Sequence, residues 1–154
     1  MSSIDKIKQS NPKDSIGVMK APFSTIPMTV MAELGVAMLE GAVKYSRHNY
    51  REIGVRASVY FDALLRHATA WWEGEDLDPD SGISHVTKAI ATLTVLRDAM
   101  IQAKWVDDRP PKAVQGEFGP FLVDLSDKVK EIAKKYPEAK MPYTELDLYK
   151  LKEK

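Results

Sequence analysis

Between Tyr60 and Leu96, two apolar patterns of helical period are separated by ten residues carrying five carboxylates, EGEDLDPDSG at Glu73–Gly82. This stretch restricts the possible folds more than any other part of the chain. Helices joined by so short a turn lie antiparallel, so the end of the first and the start of the second share one rim. Asp62, Arg66, His67, Glu73, Glu75, Asp76, Asp78, Asp80 and His85 are all expected close to it. The first helix, Val59–Trp72, carries two adjacent stripes: Tyr60, Leu64, His67, Trp71 and Phe61, Leu65, Ala68, Trp72. Together they predict a wide buried face, with Asp62, Arg66, Thr69 and Glu73 as the polar flank. The second helix, about Ser81–Ala103, places Val86, Ile90, Leu93 and Met100 at helical spacing.

Five carboxylates in ten residues repel one another, and the turn itself holds no basic residue to relieve them. A bound cation accounts for that density. The plainer alternative is a solvated loop in which Asp80 caps the next helix. The spacing does not match a calcium-binding EF-hand loop, in which Gly and a terminal Glu occupy other positions. His67 sits among large apolar neighbours, where a histidine is either a hydrogen-bonded core residue or a ligand. His85 falls in the first turn of its helix, a place that disfavours the imidazolium and leaves a neutral ligand or acceptor.

The flanking segments predict further helices. Pro12, Pro22 and Pro27 punctuate an extended lead-in over residues 1–27, and Pro27 marks a helix start. Val30, Met31, Leu34, Met38 and Ala42 recur helically across Met28–Tyr45. Glu33, Ala37, Glu40 and Lys44 form a second stripe, either a solvated i,i+4 pairing or part of a site. Ser46–Ser58 reads as a basic loop, and Asp107–Pro111 (DDRPP) ends the central helix. A last helix carries Leu122, Leu125, Val129, Ile132, Ala133 and Tyr136 on one face before a polar tail. No strand is expected. The reading is an all-α bundle of about four to five helices, with a core over 28–106 and a C-terminal region over 107–154. Broad apolar faces on so few helices imply that copies share a core, as a homodimer or homotetramer.

Composition narrows the chemistry. Lys plus Arg and Asp plus Glu number 22 each, so no net field recruits nucleic acid or an anionic membrane. Cysteine is absent, which excludes disulfides and thiolate chemistry and fits a cytoplasmic setting. There is no signal-peptide pattern at the N-terminus and no apolar run long enough to span a membrane. P-loop, GxGxxG, GxSxG and HExxH motifs are all missing. Inward carboxylates on a helical bundle suit Mg²⁺ or Mn²⁺. Lys44, Arg47, Arg51 and Arg66 can neutralise phosphates, which points to a metal-dependent phosphohydrolase or binder. A non-catalytic helical adaptor and an HD-type phosphohydrolase are the alternatives, although no adjacent His-Asp pair exists for the latter.

Several spaced motifs sharpen this reading: PFSTIP, GAVKYSRHNYRE, YFDALLRHATAWWEGEDLDPDSGISH and DDRPP, spanning about Lys20–Pro111. Together they resemble the phage-associated dATP/dGTP diphosphohydrolase family, distantly similar to MazG-like all-α nucleotide pyrophosphatases. The matching positions are Gly41, Ala42, Lys44, Tyr45, Asn49, Tyr50 and Arg51, then Arg66, His67, Gly74, Glu75, Asp78, Ser81, Gly82 and His85. The resemblance implies hydrolysis of purine deoxynucleoside triphosphates to monophosphate and pyrophosphate, shaping a nucleotide pool for phage DNA synthesis. Within that reaction class, the residues themselves suggest that Glu75, Asp78 and Asp80, with His67, His85 or Asp62 in catalytic support, coordinate or orient the ions. Lys44, Arg51 and Arg66 would meet phosphates, and Tyr45 and Asn49 the sugar or base. The ExxE element of MazG proteins is absent here, and Tyr50 stands where the family often has Trp.

Overall fold

The computed structural model describes residues 12–112, 118–138, 140 and 143–145. Most of the expected lead-in (through residue 11), the loop at 113–117 and much of the tail (139, 141, 142 and 146–154) lie outside the described residues. The chain divides into two units, Met1–Arg109 and Pro110–Lys154.

In chain order the first unit contains α1 (Pro12–Gly17), a 3₁₀ turn at Phe23–Thr25, α2 (Met28–Tyr45), α3 (Asn49–Glu52), β1 (Val55–Arg56), α4 (Ala57–Trp72), α5 (His85–Ile101) and β2 (Trp105–Val106). Among the described residues, regular structure is thus nearly all helical, as the all-α reading expects. Three details differ from the sequence reading, the first being that the expected basic loop at Ser46–Ser58 contains the short helix α3. The proline-rich lead-in includes the short helix α1, and β1 pairs with β2 in a parallel ladder, Val55 opposite Trp105 and Arg56 opposite Val106. That ladder joins segments about fifty residues apart, a pairing that local periodicity does not encode.

Helix α5 is the element on which the unit is assembled, since α2, α3, α4 and β2 all pack on it. Its C-terminal half carries the apolar core. Ala99 is fully buried with Tyr50 and Val55, and Met38, Tyr60, Val95, Leu96 and Trp105 close around them. Gly54 is required there: its φ is +87°, and a Cβ would stand 3.2 Å from the Lys104 carbonyl oxygen. Of the two stripes on α4, Tyr60 and Leu64 are half-buried, whereas Phe61, Leu65 and Trp72 face solvent. The wide face is therefore only partly covered within one chain.

Helix α4 ends at Gly74, whose φ of +95° lets its N–H reach Trp71 O and the Glu75 N–H reach Ala70 O. This is a Schellman stop. The acidic turn then doubles back, with a bridge between Leu77 and Ser84 and the Asp78 N–H donating to Ile83 O at 2.9 Å. Ser84, not Asp80, caps α5, accepting the Val86 N–H at 3.2 Å.

In the second unit, α6 (Phe118–Lys135) shows the amphipathic pattern expected of it, and none of its residues is buried. No described helix is long and apolar enough to cross a membrane.

Candidate functional site

Where α4 runs into the acidic turn and α5 begins, polar groups are buried together. His67, on the half-buried stripe of α4, points its Nδ1 at Nδ1 of His85, 2.8 Å away. Two ring nitrogens approach this closely only with a proton between them or an ion that both face. Asp78 completes the group: one ligand atom from each of His67, Asp78 and His85 lies within 4.8 Å of the others. Asp78 and His85 are buried.

Local geometry explains why Asp78 turns inward. Its Oδ1 accepts the backbone N–H groups of Asp80 at 2.8 Å and Ser81 at 3.3 Å, and its carbonyl accepts the Gly82 N–H at 2.7 Å. Gly82, with φ of +67°, makes that reversal possible. Oδ2 is thereby directed at Lys88 Nζ, 2.7 Å away. The Lys88 ammonium, together with the two turn N–H groups, holds the Asp78 carboxyl at about 2 against an ordinary 3.8.

Lys88 was not singled out from sequence, and it corrects the expectation that nothing basic relieves the acidic turn. It projects from the first turns of α5 and also meets Glu40 of α2 at 3.1 Å and Ser81 Oγ at 3.2 Å. Burial opposes its charge, but the carboxylates of Asp78 and Glu40 more than offset that and hold the ammonium above its ordinary range. Glu40 accepts in turn from Lys44 at 2.5 Å, which, with Lys88, lowers its carboxyl. Beside this chain Thr87 donates to Glu33. A signal for Lys88 did exist, its i+10 spacing from Asp78 and i+3 spacing from His85, but a lysine on a helix is ordinarily a solvated residue.

Burial, followed by the nearby Lys88 charge, depresses His67, which stays neutral at neutral pH and keeps a lone pair for a ligand. His85 Nε2 is buried without a hydrogen-bond partner, and the nearest carboxylate, Glu75, stands at 3.6 Å. A metal-bound histidine typically directs its second nitrogen at such a carboxylate. Two nitrogens about 2.1 Å from one ion and at right angles would lie about 3.0 Å apart, close to the spacing seen here. The donor set therefore fits a divalent ion, and its two imidazoles suit Mn²⁺ better than the oxygen-preferring Mg²⁺.

A cavity of about 570 Å³ opens from His67 and Lys88. Glu40, Lys44, Tyr45, Arg47, His48, Asn49 and Tyr60 are among the residues that line it. Ser46 and His48 at its rim have positive φ, 75° and 59°, strained values for non-glycine residues. Of the candidate site residues singled out from sequence, Lys44, Tyr45, Arg47, Asn49 and His67 share this cavity, while Asp78 and His85 adjoin it through His67 and Lys88. Asp62, Arg66, Glu75 and Asp80 are exposed and outside its lining, as is Arg51. The Arg51 guanidinium instead grips Asp98 of α5, Nε to Oδ2 at 2.6 Å and Nη2 to Oδ1 at 3.0 Å.

Chemically, a close imidazole pair, a low-pKa carboxylate and the cationic side chains of Lys44, Arg47 and Lys88 along a cavity suit an ion-assisted reaction on a polyanion. The chain matches no curated protein and no solved structure. A family model described as "dATP/dGTP diphosphohydrolase, N-terminal" matches residues 10–109, which is nearly the whole first unit, and the chain belongs to that family.

Proposed function

We propose that this protein hydrolyses purine deoxynucleoside triphosphates, dATP or dGTP, to the monophosphate and pyrophosphate with the help of a divalent ion. The observation that carries the reading is the 2.8 Å approach of His67 and His85 beside Asp78, adjoining a cavity lined by Lys44, Arg47 and Lys88. His67, Asp78 and His85 would hold the ion, with Glu75 orienting His85 from outside. An ion held there supplies positive charge against phosphate oxygens and acidifies a water.

The chain's own residues do the rest. Lys44 and Arg47 draw the triphosphate into the cavity, and Tyr45 and Asn49 lie where a sugar or base can be met. Asp62 and Asp80, exposed outside the cavity lining, would have a supporting role, as would Arg66 toward a phosphate. Arg51 acts through α3, which it fastens to α5, and so positions the Asn49 end of the cavity. The reading extends to shaping a purine deoxynucleotide pool, as in phage DNA synthesis, and to a homo-oligomer in which a second copy covers Phe61, Leu65 and Trp72.

Product analysis tests the activity. Each dNTP and NTP is incubated with Mn²⁺ or Mg²⁺, and pyrophosphate is quantified against orthophosphate. Monophosphate with equimolar pyrophosphate is expected; orthophosphate as the sole inorganic product, or no turnover, overturns the assignment.

A further inference from the structure

Two carboxylates from separate elements, Glu40 of α2 and Asp78 of the turn, converge on one point at the cavity wall. In two-ion sites such convergence holds the second divalent ion beside the first. Here the point is taken by Lys88 Nζ, 3.1 Å from Glu40 Oε2 and 2.7 Å from Asp78 Oδ2. We propose that Lys88 stands in for a second divalent ion: its ammonium, clamped between Glu40 and Asp78, meets the phosphate chain and limits the site to one ion per chain. The inference rests on the nucleotide reading above and deepens it.

Three observations support this role. First, Lys88 lines the cavity alongside His67 and Lys44, so a ligand entering there meets its ammonium. Second, its three N–H donors go to Glu40, Asp78 and Ser81, and the Ser81 hydroxyl, at 3.2 Å, is the only neutral acceptor of the three. A phosphate oxygen can replace that hydroxyl without separating any charge pair. Third, Glu40 is held independently by Lys44 at 2.5 Å, so it stays neutralised if Lys88 moves toward a ligand. Asp78 meanwhile commits Oδ1 to the turn and one lone pair of Oδ2 to Lys88, which leaves capacity for one ion rather than two. A second ion beside the first would have to displace the ammonium.

The test counts ions and then compares nucleotides. Mn²⁺ is titrated into the full chain, wild type, Lys88→Arg and Lys88→Met, with bound ion read by electron paramagnetic resonance. One ion per chain is expected for wild type and Lys88→Arg, and a second in Lys88→Met, where Glu40 and Asp78 are released. Without any ion, wild type should bind a non-hydrolysable dATP analogue at least about tenfold more tightly than dAMP, a preference that Lys88→Met loses and Lys88→Arg keeps. Two ions on the wild-type chain overturn the inference while leaving the nucleotide reading intact. So does a Lys88→Met protein that is folded by circular dichroism, binds one ion and keeps the triphosphate preference. If Lys88→Met does not fold, the wild-type count and the Lys88→Arg preference still decide it. A wild type that binds neither ion nor nucleotide removes both the inference and the reading beneath it.

Discussion

The two ends of α5 solve the same problem with opposite materials. Each fastens the helix to another segment through an acid–base pair, distant in sequence at one end and adjacent at the other. At the C-terminal end the pair is Arg51–Asp98, half-exposed on the arginine side, and beneath it Ala99, Tyr50, Val55 and Trp105 do the holding through apolar packing. At the N-terminal end the pair is Lys88–Asp78, with side chains only 15% and 12% exposed, and what surrounds it is not a packed core but a cavity, two facing imidazoles and an orphaned nitrogen. A screened surface pair is a fastener of small consequence. A buried pair carries a desolvation cost, and a fold that needed only a fastener there would do as well with apolar side chains. The difference separates an end of the helix held by packing from the end at which the proposed site lies.

The sharpest break in that contrast comes from the buried end. His67→Ala and Asp78→Ala should each lower turnover by more than about 100-fold, since loss even of a residue behind a metal ligand costs roughly 10–100-fold. Glu75→Gln should fall inside that smaller range. Steady-state pyrophosphate release measures all three, and near-wild-type turnover in both His67→Ala and Asp78→Ala would discard the site. Asp78→Ala should also lower stability, but by less than the about 3–5 kcal/mol typical of stranding a buried charge. Glu40 stays beside Lys88 to compensate it.

Acid should reveal the same end of the helix. The folded Asp78 carboxyl lies at about 2 and the unfolded one near 3.8. Its contribution is therefore fully present above 3.8 and is lost as pH falls through about 2. Asp78→Asn should flatten the dependence of unfolding on pH in that window. Equal slopes for both proteins in chemical denaturation would contradict it.

At the other end, Arg51→Ala and Asp98→Ala should cause similar, small losses of stability with little change in KM, as partners in one fastener. A large KM increase confined to Arg51→Ala would instead place that guanidinium on substrate. The smallest effect is a gain. Ala103 closes α5 with φ of +55°, its N–H on Met100 O and the Lys104 N–H on Ala99 O, a Schellman arrangement that favours glycine. Ala103→Gly should stabilise by about 0.5–1 kcal/mol without touching turnover.

Much of this was legible in the chain itself. Apolar spacing located α2, α4, α5 and α6, and the density of carboxylates after Trp72 marked the rim on which His67, Asp78 and His85 meet. Motif resemblance named the family that the match over residues 10–109 then established. Periodicity sorts residues onto faces because helix geometry repeats locally, and so it needs no knowledge of partners. Three features needed the folded structure, the first through local turn geometry and the other two through partners remote in sequence. Which of five turn carboxylates faces inward was decided by the Leu77–Ser84 bridge and the positive φ of Gly82. Arg51 met Asp98 rather than the cavity because α3 docks on the far end of α5. Lys88, one unremarked lysine in a helix, became the centre of the polar cluster because α2 brings Glu40 to it across forty-eight residues of chain. Local sequence set the helices and gathered the polar residues on their rim; which charges face one another was left to tertiary packing, because electrostatic partnership depends on distance in space and not on separation along the chain.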